Sequence, residues 1–143
     1  MRLLNEILQL RRDIDSIAER AIELKQMTQP KAQTISDMPR GGGERKNAIE
    51  EYIIKSERLH RKLVHKKELF IAKWSEFRRI ADDCGVTKAQ RDVIYYRFHD
   101  ALPWKLCVAR MEKQYPATTW NEQKLFRIYR KVLCKIDKKS KEK

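Results

Sequence analysis

Three histidines, three cysteines and a run of glycines are the residues of this 143-residue chain that could support catalysis or metal binding. His99 stands beside Asp100, the kind of pair from which a general base is built. No candidate nucleophile or glycine-rich loop accompanies it, however, and neighbours in a turn need not face each other. His60 and His65 are five residues apart, which on a helix turns them to different faces and spoils shared metal ligation. Cys84, Cys107 and Cys134 are widely spaced, with no CxxC, and read as small apolar groups of a reducing compartment. Gly41 to Gly43 beside Arg40 could cradle a phosphate, but no Lys-Ser/Thr follows and no strand precedes them. The sequence therefore leads us to expect no catalytic residue, metal site or cofactor, and no enzyme.

The chemistry that remains is electrostatic. The net charge is +13 and the sequence pI about 9.8. Residues 1–44 hold seven basic and seven acidic side chains, whereas residues 45–143 hold 26 and 13. A polyanionic partner for the second part follows, because neutralising phosphates releases counterions and supplies sequence-independent affinity. The densest candidate surface lies in Thr119–Ile136, TWNEQKLFRIYRKVLCKI. At 100° per residue, Leu125, Phe126, Tyr129, Val132, Leu133 and Ile136 share one side of a helix, and Trp120, Lys124, Arg127, Lys131 and Lys135 the other. Asn121, Gln123, Lys124, Arg127 and Lys131 have the side chains for DNA: Asn and Gln can pair with adenine, Arg or Lys with guanine or phosphate. Trp120 has two readings, packing back over Tyr115 and Pro116 or contacting a thymine methyl group or sugar. Thr119 with Glu122 has the form of a capping box and predicts a helix start at Trp120.

The elements that position this stretch are helical. Few glycines and prolines, 37% charged residues and a mean hydropathy of -0.75 predict an all-α protein with wide solvated faces. Leu3, Ile7, Leu10, Ile14, Ile17, Ala21 and Leu24 alternate spacings of four and three and predict one helix over about 2–27. Leu4, Leu8, Ala18 and Ile22 widen its stripe, as packing against more than one helix requires. Residues 28–44 contain Pro30, Pro39 and the glycine run, the composition of a linker. Periodicity resumes over about 45–81, with Lys66 and Lys73 interrupting the apolar seam, which predicts that the contact loosens or changes side after Leu63. The two long helices (1–81) are expected to pair as a hairpin within one chain, or as a coiled-coil arm between two chains of a homodimer.

Gly85 suits a left-handed cap, and Thr87 with Gln90 is a second capping box. It opens a helix to about Phe98, with Val93, Ile94 and Phe98 facing inward. His99-Asp100 turns the chain, and Pro103 is placed to begin a helix over 104–112. Three short helices over 86–137, the last with a basic outer face, are the pattern of a helix-turn-helix domain. Lys138–Lys143 reads as a disordered basic tail. Nothing in the sequence has the form of a spanning segment or signal peptide, so a cytoplasmic protein is expected.

TKAQRDVIYYRFHDALPWKLCVARM followed by TTWNEQKLFRIYRKVL resembles the fourth region of sigma-70 factors, and more closely the small phage and prophage regulators of the ArpU and RinA type. Arg97-Phe98 before the turn, the turn residues ahead of Trp104, Val108-Ala109 and the Met38-Pro39-Arg40-Gly41-Gly42 segment carry that resemblance. It implies binding of double-stranded DNA at promoter-like sites, control of late phage genes, and work alongside RNA polymerase in a bacterial host. The turn over Lys113–Thr118 departs from the usual pattern by its length and lack of glycine. Two other functions fit the same residues: a small-terminase-like packaging protein with oligomerising helices, and a helical adaptor for acidic protein surfaces.

Overall fold

The computed structural model describes residues 1–28 and 42–142, with the backbone alone described at 28, 42–47 and 140–142. Among the described residues every regular element is a helix: α1 (Arg2–Thr28), α2 (Gly42–Asp83), α3 (Lys88–Ile94) continuing as a π-helical turn (Tyr95–His99), α4 (Trp104–Gln114) and α5 (Glu122–Glu142). The all-α expectation holds. Most of the expected linker, with the start of the Met-Pro-x-Gly-Gly segment, lies outside the described residues. At its far end Gly42 and Gly43 already belong to α2. Glycine's entropic cost is felt in the middle of a helix, so a helix start tolerates the pair.

The chain divides into two compact units, one of Met1–Arg12 with Leu69–Lys143 and one of Asp13–Glu68. The expected division, a 1–81 arm and an 86–137 domain, falls elsewhere in the chain. The reason lies in where the large side chains are buried. Leu4 and Ile7 near the start of α1, and Phe77 and Ala81 near the end of α2, have no exposed surface, so these segments belong to the unit that contains α3, α4 and α5.

In the Asp13–Glu68 unit, α1 and α2 run antiparallel. Lys66 Nζ meets Asp13 Oδ2 at 3.4 Å, and further along Leu24 and Met27 share a groove with Lys55 and Leu59. Ile14 and Ile17 are buried, whereas Ala21 and Ile22 are exposed. The periodic stripe is thus longer than the surface it covers.

In the other unit, Lys73 Nζ lies 2.8 Å from Glu6 Oε2. The loosening predicted at Lys66 and Lys73 does not occur. Each ammonium finds an α1 carboxylate and stays in the seam, and Phe70 and Phe77, beyond Leu63, are among the buried residues. The salt bridge and hydrogen bond from Lys73 hold the Glu6 carboxyl below its ordinary pKa.

The end of α2 is fixed by backbone geometry. Gly85 has φ +70°, Val86 N donates to Ala81 O at 3.0 Å and Gly85 N to Asp82 O at 3.3 Å. These two bonds form a Schellman motif. Val86 and Ala81 are both buried beside it, as its accompanying apolar contact requires. The Thr87 capping box is present in both directions: Gln90 N to Thr87 Oγ1 at 3.3 Å and Thr87 N to Gln90 Oε1 at 3.2 Å. Arg91 Nη2 meets Asp82 Oδ1 at 2.7 Å, tying α3 to the end of α2.

The sequence predicts an α-helix through Phe98, but the last turn is wider. Asp100 N reaches Tyr95 O at 3.0 Å, the five-residue spacing of a π-helix. Arg97 Nη1 donates to Leu102 O at 2.9 Å and pins the reversal that follows. Ala101 there has φ +54°. Pro103 precedes α4 rather than opening it, at φ -59° and ψ 154°, and its carbonyl accepts the first bonds of the helix. Val93, Cys107, Met111, Trp120 and Leu125 form the core between α3, α4 and α5, with Tyr96, Leu102, Trp104, Val108, Tyr115 and Ile128 packed against it.

Candidate nucleic-acid interface

The site is built around the entry to α5. Seven residues, Tyr115–Asn121, separate α4 from α5. Tyr115 Oη donates to Asp92 Oδ2 at 2.6 Å, and Gln114 Nε2 donates to the same oxygen at 3.1 Å. The carboxylate beside its hydroxyl pushes the Tyr115 pKa up to about 12, because ionising the phenol would place two negative charges together. Trp120 Nε1 donates to Tyr115 O at 3.1 Å, and the two rings lie 6.0 Å apart. α3 is thus bonded to the end of α4, and the end of α4 to the start of α5.

Trp120 is 8% exposed and belongs to the core. Of its two readings, packing back over the turn is the one observed, and its indole is removed from the outer face. A buried tryptophan keeps its N–H paired, and the Tyr115 carbonyl meets that need. Lys124 lies with Nζ 4.4 Å from the indole centroid and 3.1 Å from Thr119 O.

The cap of α5 also differs from expectation. Asn121 Oδ1 accepts from Lys124 N at 2.8 Å, and Asn121 O accepts from Leu125 N at 3.2 Å. Asn121 is therefore the N-cap, and α5 begins at Glu122 rather than Trp120. Thr119 cannot serve in its place, since Trp120 is anchored to the turn behind it. The side chain of Asn121 is exposed, with its oxygen committed to the cap.

Leu125, Val132 and Ile136 are buried along one side of α5, with Tyr129 half-buried between them. Phe98 stacks on Tyr129 at 5.4 Å, and Trp104 lies 4.7 Å from Phe126, which remains 40% exposed. Opposite them, Gln123, Arg127, Arg130, Lys131, Cys134 and Lys138 are exposed. This face is rotated by about 50° from the basic face read from the sequence. Lys135 leaves it because its Nζ reaches Gly85 O at 3.3 Å and Gln90 Oε1 at 3.0 Å. Lys139 likewise donates to Asp83 O. Arg130 takes their place on the outer row. Arg130 was not among the residues expected at this face, although its spacing of three from Arg127 put it within reach. The helix continues to Glu142, so the expected disordered tail at 138–143 is helical up to that residue.

Among the expected DNA-contacting residues, Asn121, Gln123, Arg127 and Lys131 are exposed on α5 or its cap, Lys124 is half-buried and Trp120 is buried. Exposed Lys105, Arg110 and Lys113 on α4 add cations of the same unit. His99 and Asp100 do face each other, with Nδ1 and Oδ1 3.0 Å apart. That imidazole is stacked on Tyr95 at 4.2 Å and meets Phe70 and Trp74 edge-on. Among the described residues no three His, Cys, Asp or Glu side chains come together as metal ligands. None of the described helices is long and apolar enough to cross a membrane. Compared with known proteins, the chain matches no family model, no curated protein and no solved structure.

Proposed function

We infer that the chain is a DNA-binding transcription regulator of phage or prophage type, with α3, α4 and α5 acting as a helix-turn-helix domain and α5 as the recognition helix. The observation that supports this most is the exposed row Gln123, Arg127, Arg130 and Lys131. It lies on a helix whose opposite side is anchored by Leu125, Val132 and Ile136. A rigidly held helix with amide and guanidinium groups outward has the chemistry to read base edges while cations meet phosphates. Asn121 and Gln123 sit at its N-terminal end, the end that enters the groove in this motif. The resemblance to sigma-70 region 4 and to the ArpU and RinA type regulators agrees with this reading and adds RNA polymerase as a proposed partner. Exposed Ile49, Ile53 and Ile54 on α2 favour pairing with a second copy. Light scattering tests this, with a dimer supporting regulation and a ring of eight or more chains supporting DNA packaging.

The deciding experiment is selection from a random duplex library, followed by fluorescence polarisation on the selected and on random DNA at two salt concentrations. Arg127→Ala should cost about 1–3 kcal/mol on the selected site and little on random DNA, whereas Lys131→Ala should weaken both alike. Equal losses on both duplexes for both variants reject Arg127 as a base reader. No binding at low salt rejects the function.

A further inference from the structure

In the Asp13–Glu68 unit, α1 and α2 leave an open groove of about 310 Å³ between them. It does not belong to the α5 face, and the DNA-binding reading does not use it. Its walls are of two kinds. Leu24, Met27 and Leu59 supply apolar surface, and Arg20, Lys55, Arg58 and Lys62 supply four cations against one acid, Glu23. Among the described residues none of those four cations has an ion-pair partner. Met27 is 83% exposed, an apolar side chain left in water at the groove's edge.

We propose that this groove docks an acidic amphipathic helix of a partner protein, whose apolar side chains seat on Leu24, Met27 and Leu59 while its carboxylates meet Arg20, Lys55, Arg58 and Lys62. Lys55, Arg58 and Lys62 follow one another at spacings of three and four, so they stand in one row along α2. A helix laid along the groove presents its own residues at the same spacings, which matches cation to carboxylate turn by turn. The apolar component decides between partners. A nucleic-acid backbone would satisfy the cations but leave Leu24, Met27 and Leu59 exposed to water, whereas an amphipathic helix covers both. Met contributes a flexible, polarizable contact that adapts to different anchors. The volume is at the lower end of the about 300–1,000 Å³ range of ligand clefts, enough for anchor side chains but not for a whole element.

The test uses the full chain with labelled methyl groups and a synthetic helical peptide of about fifteen residues built from Leu, Glu and Ala, with Leu at two positions four apart. Titration should shift the Leu24, Met27 and Leu59 methyl resonances saturably. Replacing the peptide's Leu by Ala, or its Glu by Lys, should abolish the shifts. Arg58→Glu with Lys62→Glu should weaken binding at least about tenfold, and so should Met27→Gln, whose exposed position leaves folding untouched. No methyl shift at millimolar peptide overturns the proposal. It also fails if the peptide without Leu binds equally, or if a random duplex shifts the same methyls at lower concentration. Because α5 is intact in both variants, their DNA affinity reports on the regulator reading separately.

Discussion

Asn121 carries the sharpest test of how α5 is held and which end of it meets DNA. Its side-chain oxygen satisfies Lys124 N at 2.8 Å, one of the four N–H groups a helix start leaves unpaired. Asn121→Ala removes that acceptor and should cost about 1 kcal/mol. For a chain of this length that lowers the thermal midpoint by about 3 °C. Thr119→Ala removes a hydroxyl that makes no cap bond and should stay within about 0.5 kcal/mol of the parent. Asn121→Asp separates folding from binding. The carboxylate keeps the cap and is favoured by the helix dipole, so the midpoint should hold or rise by about 1 °C. The same negative charge would face phosphates if this end of α5 enters the groove, and binding at low salt should fall by about fivefold. Differential scanning calorimetry and fluorescence polarisation read the two effects. Thr119→Ala destabilising as much as Asn121→Ala would refute the cap assignment, and DNA affinity unchanged in Asn121→Asp would refute the docking end.

Leu125 is fully buried in the core, and Leu125→Ala should cost about 2–5 kcal/mol in denaturant titration. A loss under about 1 kcal/mol would mean that α5 does not rest on that stripe. Tyr115 ionises at about 12 against an ordinary 10.0. A proton-bound form held more tightly in the folded state contributes stability that is present below pH 10 and lost as pH rises through 12. Burial also raises Tyr95, Tyr96 and Tyr129, so ultraviolet titration should show a latest tyrosinate step that is lost in Tyr115→Phe and shifts earlier in Asp92→Asn. Burial pushes the Cys107 thiol up to about 11, so thiol reagents at neutral pH should modify exposed Cys134 quickly and Cys107 only on unfolding. Rapid labelling of Cys107 in the folded protein would contradict its burial.

Local chemistry was legible in the sequence wherever partners lie within a few residues. Gly85 as a left-handed cap, the Thr87–Gln90 box and the inward Val93, Ile94 and Phe98 depend on neighbours in the chain, and each is found as expected. The helical character of the described residues follows from periodicity in the same way. The capping box at Thr119 failed although its pattern was correct. Its helix start would have required Trp120 to join α5, whereas Trp120 is held by the Tyr115 carbonyl and a core drawn from α3 and α4.

The sequence by itself determined that this protein is helical, segregates its charge toward the later part of the chain, and places amide and cationic side chains on one helix. Only the tertiary structure decided which of those cations face outward. Lys124 and Lys135 could not be told from Arg127 and Arg130 by spacing, because a lysine's long stem lets its ammonium reach carbonyls on other elements. Thr119 O supplies one such contact for Lys124, beside the Trp120 ring, and Gly85 and Gln90 supply those of Lys135. The seam between α1 and α2 was settled the same way. Lys66 and Lys73 interrupt an apolar pattern when read along one helix, and become part of the packing only when Asp13 and Glu6 stand opposite them.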